Sequence, residues 1–122
     1  MVTTEDIRRW ATALPEVEET SHGRFRVPVF KVRGRTFVGM GRDETTAVFC
    51  LSEPRATDEA AADPATRTAE RRKDARRSFL GLQVVLDGAD QDRVRGYVLE
   101  AWRQQAPKRL AAAYEAAQTS GG

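Results

Sequence analysis

The 122-residue sequence predicts an α+β fold. An antiparallel β-sheet, built from a three-strand meander plus a later fourth strand, is packed by helices in the order αβββαβαα. Three observations predict this. Apolar residues recur at helical spacing near both ends of the chain, at Ile7, Trp10, Ala11 and Leu14 and again at Val94, Tyr97, Val98, Ala101 and Trp102. Runs rich in β-branched and aromatic residues fill the middle. Short turn signals, Arg33-Gly34 foremost, separate these runs.

Each element has its own warrant. Thr3 is a plausible N-cap, with Asp6 three residues on as an imperfect capping box, and Pro15 stops the helix, so the first helix covers residues 4–13. Residues 15–24 are polar and aperiodic, which predicts a loop carrying the only histidine, His22. Residues 25–32 form the first strand, where Pro28 cannot donate to a ladder and predicts an edge or a bulge. Residues 36–41 form the second strand, in which Gly39 and Gly41 suggest a bulge or a close backbone approach. Residues 45–51 form the third. Ser52 then caps a helix over residues 53–62, with Pro54 in its first turn and Asp63-Pro64 as its stop.

Residues 65–78 are charged and lack an apolar stripe, which predicts a loop or an exposed helical turn. The fourth strand, 79–86, sets Leu80, Leu82, Val84 and Leu86 on one face. Asp90 caps the strongest helix, and Pro107 both interrupts it and opens the last one, marked by Leu110, Ala113, Tyr114 and Ala117. The whole reads as one domain over residues 1–118, expected to be monomeric, with a disordered tail at 119–122. Trp10, Tyr97, Trp102 and Tyr114 read as core, and the Trp10 and Trp102 helices are the expected cover for the sheet.

Composition narrows the function classes. Apolar residues make up 40% and charged residues 31%, as in ordinary soluble domains. No stretch is long and apolar enough to span a membrane. The N-terminal acids Glu5 and Asp6 and the absence of an apolar signal region, together with the lone Cys50, predict a cytoplasmic setting. Net charge is only +2, yet Arg67 to Arg77 holds six cations against two acids.

Reactive residues are scarce. Cys50 lies between Phe49 and Leu51, where a thiol behaves as a small hydrophobe. His22 is the only other nucleophile partner or base of its kind. Glu16, Glu18 and Glu19 are close in sequence but read as solvated loop acids. One histidine and one cysteine predict no metal site, and Gly39-Met40-Gly41 lacks the third glycine and the strand-to-helix context of a dinucleotide fingerprint. The expectation is a protein with no catalytic residues and no cofactor.

Three segments carry a resemblance. Leu14-Pro15-Glu16-Val17-Glu18-Glu19 leads to His22-Gly23, followed by Phe30-Lys31-Val32-Arg33-Gly34-Arg35-Thr36-Phe37 and, later, Ala101-Trp102-Arg103 and Ala106-Pro107-Lys108-Arg109-Leu110. The chain resembles the MmcQ/YjbR family of small bacterial proteins over nearly its whole length. The resemblance implies a CyaY-like fold with helices on one face of an antiparallel sheet. It also implies DNA binding through a double-wing motif. Arg71-Arg72-Lys73-Asp74-Ala75-Arg76-Arg77-Ser78 departs from the family pattern, and the departure adds positive charge.

The residues offer three basic groups to such a partner. They are Arg33 and Arg35 at the hairpin tip, Arg71, Arg72, Lys73, Arg76 and Arg77 in the charged connection, and Arg103, Lys108 and Arg109 around Pro107. Arginine and lysine in these positions suit phosphate contact, and the scarcity of nearby aromatics argues against base stacking. Taken singly, each group also fits a solvated charged face. The alternative is a domain that binds a small anionic ligand or a protein partner, with His22 a candidate ligand contact.

Overall fold

Thr3 opens the chain's first helix through a reciprocal cap. Its hydroxyl accepts from the Asp6 N–H at 3.2 Å, while its own N–H donates to Asp6 Oδ2 at 3.0 Å. Aspartate thus does here what glutamate does in the usual capping box. The helix, α1, spans Thr4–Thr12 and buries Ile7, Trp10 and Ala11. The computed structural model describes residues 2–22, 27–41, 43–71 and 79–120.

The remaining elements are β1 (Val17–His22), β2 (Val27–Val32), β3 (Arg35–Met40), β4 (Thr46–Phe49), α2 (Glu53–Ala62), β5 (Arg67–Arg71), β6 (Phe79–Val85), α3 (Gln91–Gln105) and α4 (Lys108–Ser120). The six strands form one sheet in the order β1-β2-β3-β4-β6-β5, and every neighbouring pair is antiparallel. The fold class is therefore the expected α+β, but the sheet has two more strands than the sequence predicts. Residues 15–24 and 65–78 read as loops, yet they hold β1 and β5. Both are outermost strands, which pair on one side only and leave much of their side-chain surface in water. They consequently lack an apolar alternation. Glu18, Glu19 and Glu70 suit that position, because charge on an outer strand discourages pairing with another chain.

With β1 outside it, β2 is an inner strand, so Pro28 does not mark an edge. The β2–β3 ladder begins only at Val29↔Gly39, beyond Pro28, and no β3 pairing is interrupted. The bulge lies further on, where Phe30↔Val38 is followed by Lys31↔Thr36 and Phe37 becomes the extra residue. That irregularity lets the consecutive residues Phe37 and Val38 both reach the core. Gly39 has open space around it, whereas the backbone of Gly41 lies tight against Thr46. At Gly81 the obstacle is backbone: a Cβ there would meet the Phe49 carbonyl oxygen at 2.5 Å.

One face of the sheet carries the helices. α1 packs on β1 and β2, α3 on β3 and β4, and α2 on β5 and β6. The core between them includes Phe30, Phe37, Phe49, Leu82, Leu86 and Trp102, all fully buried. The predicted stripe Val94, Tyr97, Val98, Ala101, Trp102 is buried along α3, which Asp90 caps by accepting from the Asp92 N–H at 3.1 Å. α2 has the expected bounds, although Ser52 makes no side-chain capping bond. Ala106 is extended ahead of Pro107, and α4 turns back along α3 with Tyr114 edge-on to Trp102 at 5.1 Å. Leu110, Ala111 and Tyr114 pack against the core, while Ala113 and Ala117 are exposed. α4 runs to Ser120, past the expected start of the tail.

Candidate functional site

The register gives the sheet two distinct ends. At the hairpin end lie Val17↔Val32, the turn between β2 and β3, and the pair Arg71↔Phe79. β4 runs towards this end, and Cys50 just beyond it donates its N–H to the Phe37 carbonyl. Gln105 at the close of α3 donates to the Thr36 carbonyl at 2.8 Å, and Trp102 Nε1 donates to the Pro15 carbonyl at 3.1 Å. The junction between α3 and α4 is thereby tied to the same end.

Basic residues from all three sequence groups have backbone positions at this end, in different states. Arg33 and Gly34 both have positive φ (50° and 80°), as a two-residue type I′ hairpin turn requires. The Arg33 guanidinium donates to both carboxylate oxygens of Glu16, at 2.6 and 3.1 Å. That pairing holds the Glu16 carboxyl below, and the Arg33 guanidinium above, its ordinary pKa. Arg35 is exposed and makes no ion pair among the described residues. Arg103 is paired with Glu115 at 2.5 Å. Lys108 and Arg109, in the first turn of α4, are exposed and also unpaired among the described residues. Free N–H groups at that helix start add to their attraction for anions. Arg71 ends β5, while Arg72, Lys73, Arg76 and Arg77 lie outside the described residues. The β2–β3 turn and the Arg71/Phe79 strand ends are three strand intervals apart, about 14 Å.

Two expected features sit elsewhere. His22 ends β1 opposite Val27, at the other end of the sheet. Arg67, which begins the basic run in the sequence, pairs in register with Val84 at that other end. The run is therefore split along the length of β5.

Arg67 belongs instead to an ionic cluster that sequence reading missed. Its centre is Glu59 of α2, only 9% exposed. The Glu59 carboxylate accepts from the Tyr97 hydroxyl, from Arg93 Nη1 at 3.1 Å and from Arg55 Nη1 at 3.3 Å. Arg67 Nη1 lies 3.5 Å from the same Glu59 Oε1 and donates to the Glu59 carbonyl at 3.2 Å. Arg55 also grips Glu100 at 2.8 and 3.0 Å. The Tyr97 hydroxyl first, and then Arg55 and Arg67, hold the Glu59 carboxyl below its ordinary pKa against the opposing effect of burial. Burial, then the bond to Glu59, pushes Tyr97 up to about 12. Glu59 follows Ala56 by three residues and shares the buried face of α2 with it.

A cavity of about 200 Å³ opens beside this cluster. Arg67, Arg93 and Tyr97 line it together with Val84, Val94 and Ala89. Among the described residues no three His, Cys, Asp or Glu side chains are grouped to hold a metal ion, and no helix is long and apolar enough to cross a membrane.

Known proteins bear on this architecture in two ways. The crystal structure of Deinococcus radiodurans protein DR2400, which carries a DUF419 domain, is similar with a TM-score of 0.72 at 19% identity. The similarity covers 85% of this chain and 78% of that one, and it establishes a shared fold. No curated protein matches the chain in sequence. The YjbR family model matches residues 12–104, which takes in the whole sheet and nearly all of α3. The chain belongs to the YjbR family.

Proposed function

We propose that this protein binds DNA without catalysing a reaction, and that it contacts phosphates at the hairpin end of its sheet. The observation that carries the reading is the strand register. It sets the β2–β3 turn, the Arg71/Phe79 strand ends and the start of α4 at one end, so three groups separated in sequence can face one polyanion. Arg35, Lys108 and Arg109 are the principal contacts, because they are exposed and carry no ion pair among the described residues. Arg33 and Arg103 contribute less, since Glu16 and Glu115 already neutralise them. Arg71, Arg72, Lys73, Arg76 and Arg77 extend the contact along the backbone.

Fluorescence anisotropy with a short DNA duplex tests this. Affinity falls steeply with salt, with a log–log slope of about −0.9 for each phosphate neutralised. Replacing Arg35, Lys108 and Arg109 with glutamine lowers that slope by about two to three units. Absence of binding at low salt, or an unchanged slope in the triple variant, refutes the proposal.

A further inference from the structure

We propose that Glu16 is a built-in competitor for DNA phosphate: its carboxylate occupies the Arg33 guanidinium at the β2–β3 turn and so limits how strongly that end of the sheet holds a polyanion. The inference rests on the DNA reading above and concerns the regulation of that same site. The carboxylate accepts from Arg33 Nε at 2.6 Å and from Nη2 at 3.1 Å. A phosphate uses the same planar fork of donors, so the two anions compete for one side chain. The exchange takes place in water, since the Arg33 and Glu16 side chains are 56% and 45% exposed. A carboxylate displaced there returns to solvent without desolvation cost.

Backbone geometry indicates that the pair does more than hold the fold. Glu16 and Arg33 both lie in the left-handed region, at φ 56° and 50°. Residues with a Cβ adopt that region at a cost. The first central position of a type I′ turn favours Asn, Asp or Gly, and here it carries arginine. An exposed ion pair adds little stability, too little to offset two such residues. Glu16 is also held from behind. The fully buried Trp102 donates from Nε1 to the carbonyl of the adjacent Pro15 at 3.1 Å. A link into the core thus presents this carboxylate to the turn, while Arg35, Lys108 and Arg109 stay without an ion pair among the described residues.

Anisotropy with a short DNA duplex, read across a range of salt concentrations, tests the competitor with three variants. Glu16→Gln removes the competing charge. Asp87→Asn makes the same change of charge at an exposed position beyond the far end of β6, and so measures the effect of net charge alone. Glu16→Gln binds about five-fold more tightly than Asp87→Asn at low salt, and its log–log slope is steeper than the parent's by about 0.9, one further phosphate. The double variant Glu16→Gln/Arg33→Gln has the parent's net charge and returns to the parent's affinity and slope. Glu16→Gln matching Asp87→Asn overturns the proposal. So does a double variant whose slope falls about 0.9 below the parent's, because Arg33 would then already hold a phosphate despite Glu16. The DNA reading survives both of those results. Binding by Glu16→Gln with none by the parent supports a complete mask and refutes the parent's unpaired contacts, whereas no binding by either refutes both.

Discussion

Replacing Glu59 with alanine removes an acceptor shared by Tyr97, Arg93 and Arg55 and takes the compensating charge away from Arg67. The four partners do not suffer equally. Arg55 retains Glu100, and the Arg93 side chain is 49% exposed, so both can turn to water. Arg67 cannot, because its side chain is only 13% exposed. Stranding a fully buried charge costs about 3–5 kcal/mol. The remaining carbonyl bond of Arg67 and its partial access to solvent reduce that to about 2 kcal/mol. An unsatisfied Tyr97 hydroxyl adds about 1 kcal/mol. The expected loss is therefore about 3 kcal/mol, or a shift of about 1–2 M in the urea midpoint followed by circular dichroism. Glu59→Gln, which keeps an acceptor for Tyr97, loses about half as much. Adding Arg67→Met to Glu59→Ala recovers part of the loss by removing the stranded charge. A Glu59→Ala protein within about 0.5 kcal/mol of the parent, or no recovery in the double variant, refutes the reasoning.

Four further outcomes follow from the geometry. Glu59 titrates lower in the folded state than its ordinary 4.5, so its stabilisation is present above that value and is lost as pH falls below it. Tyr97 is raised from 10.0 to about 12, so its contribution holds below pH 10 and fades as pH rises to 12; urea midpoints across both ranges, with Tyr97→Phe flattening the alkaline limb, check both. Gly81→Ala forces a Cβ against the Phe49 carbonyl and lowers stability by about 1–3 kcal/mol, read in the same denaturation assay. Thr3→Ala breaks the reciprocal cap of α1 and costs about 1 kcal/mol, with earlier amide exchange in residues 4–7 as its local signature.

The helices were legible in the sequence because each carries a physical punctuation mark and a buried stripe. Thr3 with Asp6, Asp90, and Pro107 mark boundaries by chemistry that acts within one turn, and Ile7, Trp10 and Trp102 mark faces. The inner strands were legible for a similar reason, since β-branched and aromatic residues that meet a core must be apolar. The outer strands β1 and β5 were not, because their backbone pairs satisfy them whatever side chains they show to water. The same blindness hid the division of the basic run. A strand five residues long separates its two ends by about 13 Å, so Arg67 and Arg71 pair with different residues of β6, Val84 and Phe79. The ionic cluster was illegible for another reason: Arg55, Glu59, Arg67, Arg93 and Glu100 meet only after α2, β5 and α3 have docked.

Of the five ladders in the sheet, four join strands that follow one another along the chain. Only β4 and β6 pair across a gap in sequence, through four residue pairs from Thr46↔Val85 to Phe49↔Leu82. This seam stitches a four-strand meander to a two-strand hairpin. Closing it costs loop entropy that the local ladders do not. Assembly of the sheet therefore waits on a short zip at its middle, beside the tight contact of Gly81 with Phe49. A lesion there would leave two locally formed pieces with no common core.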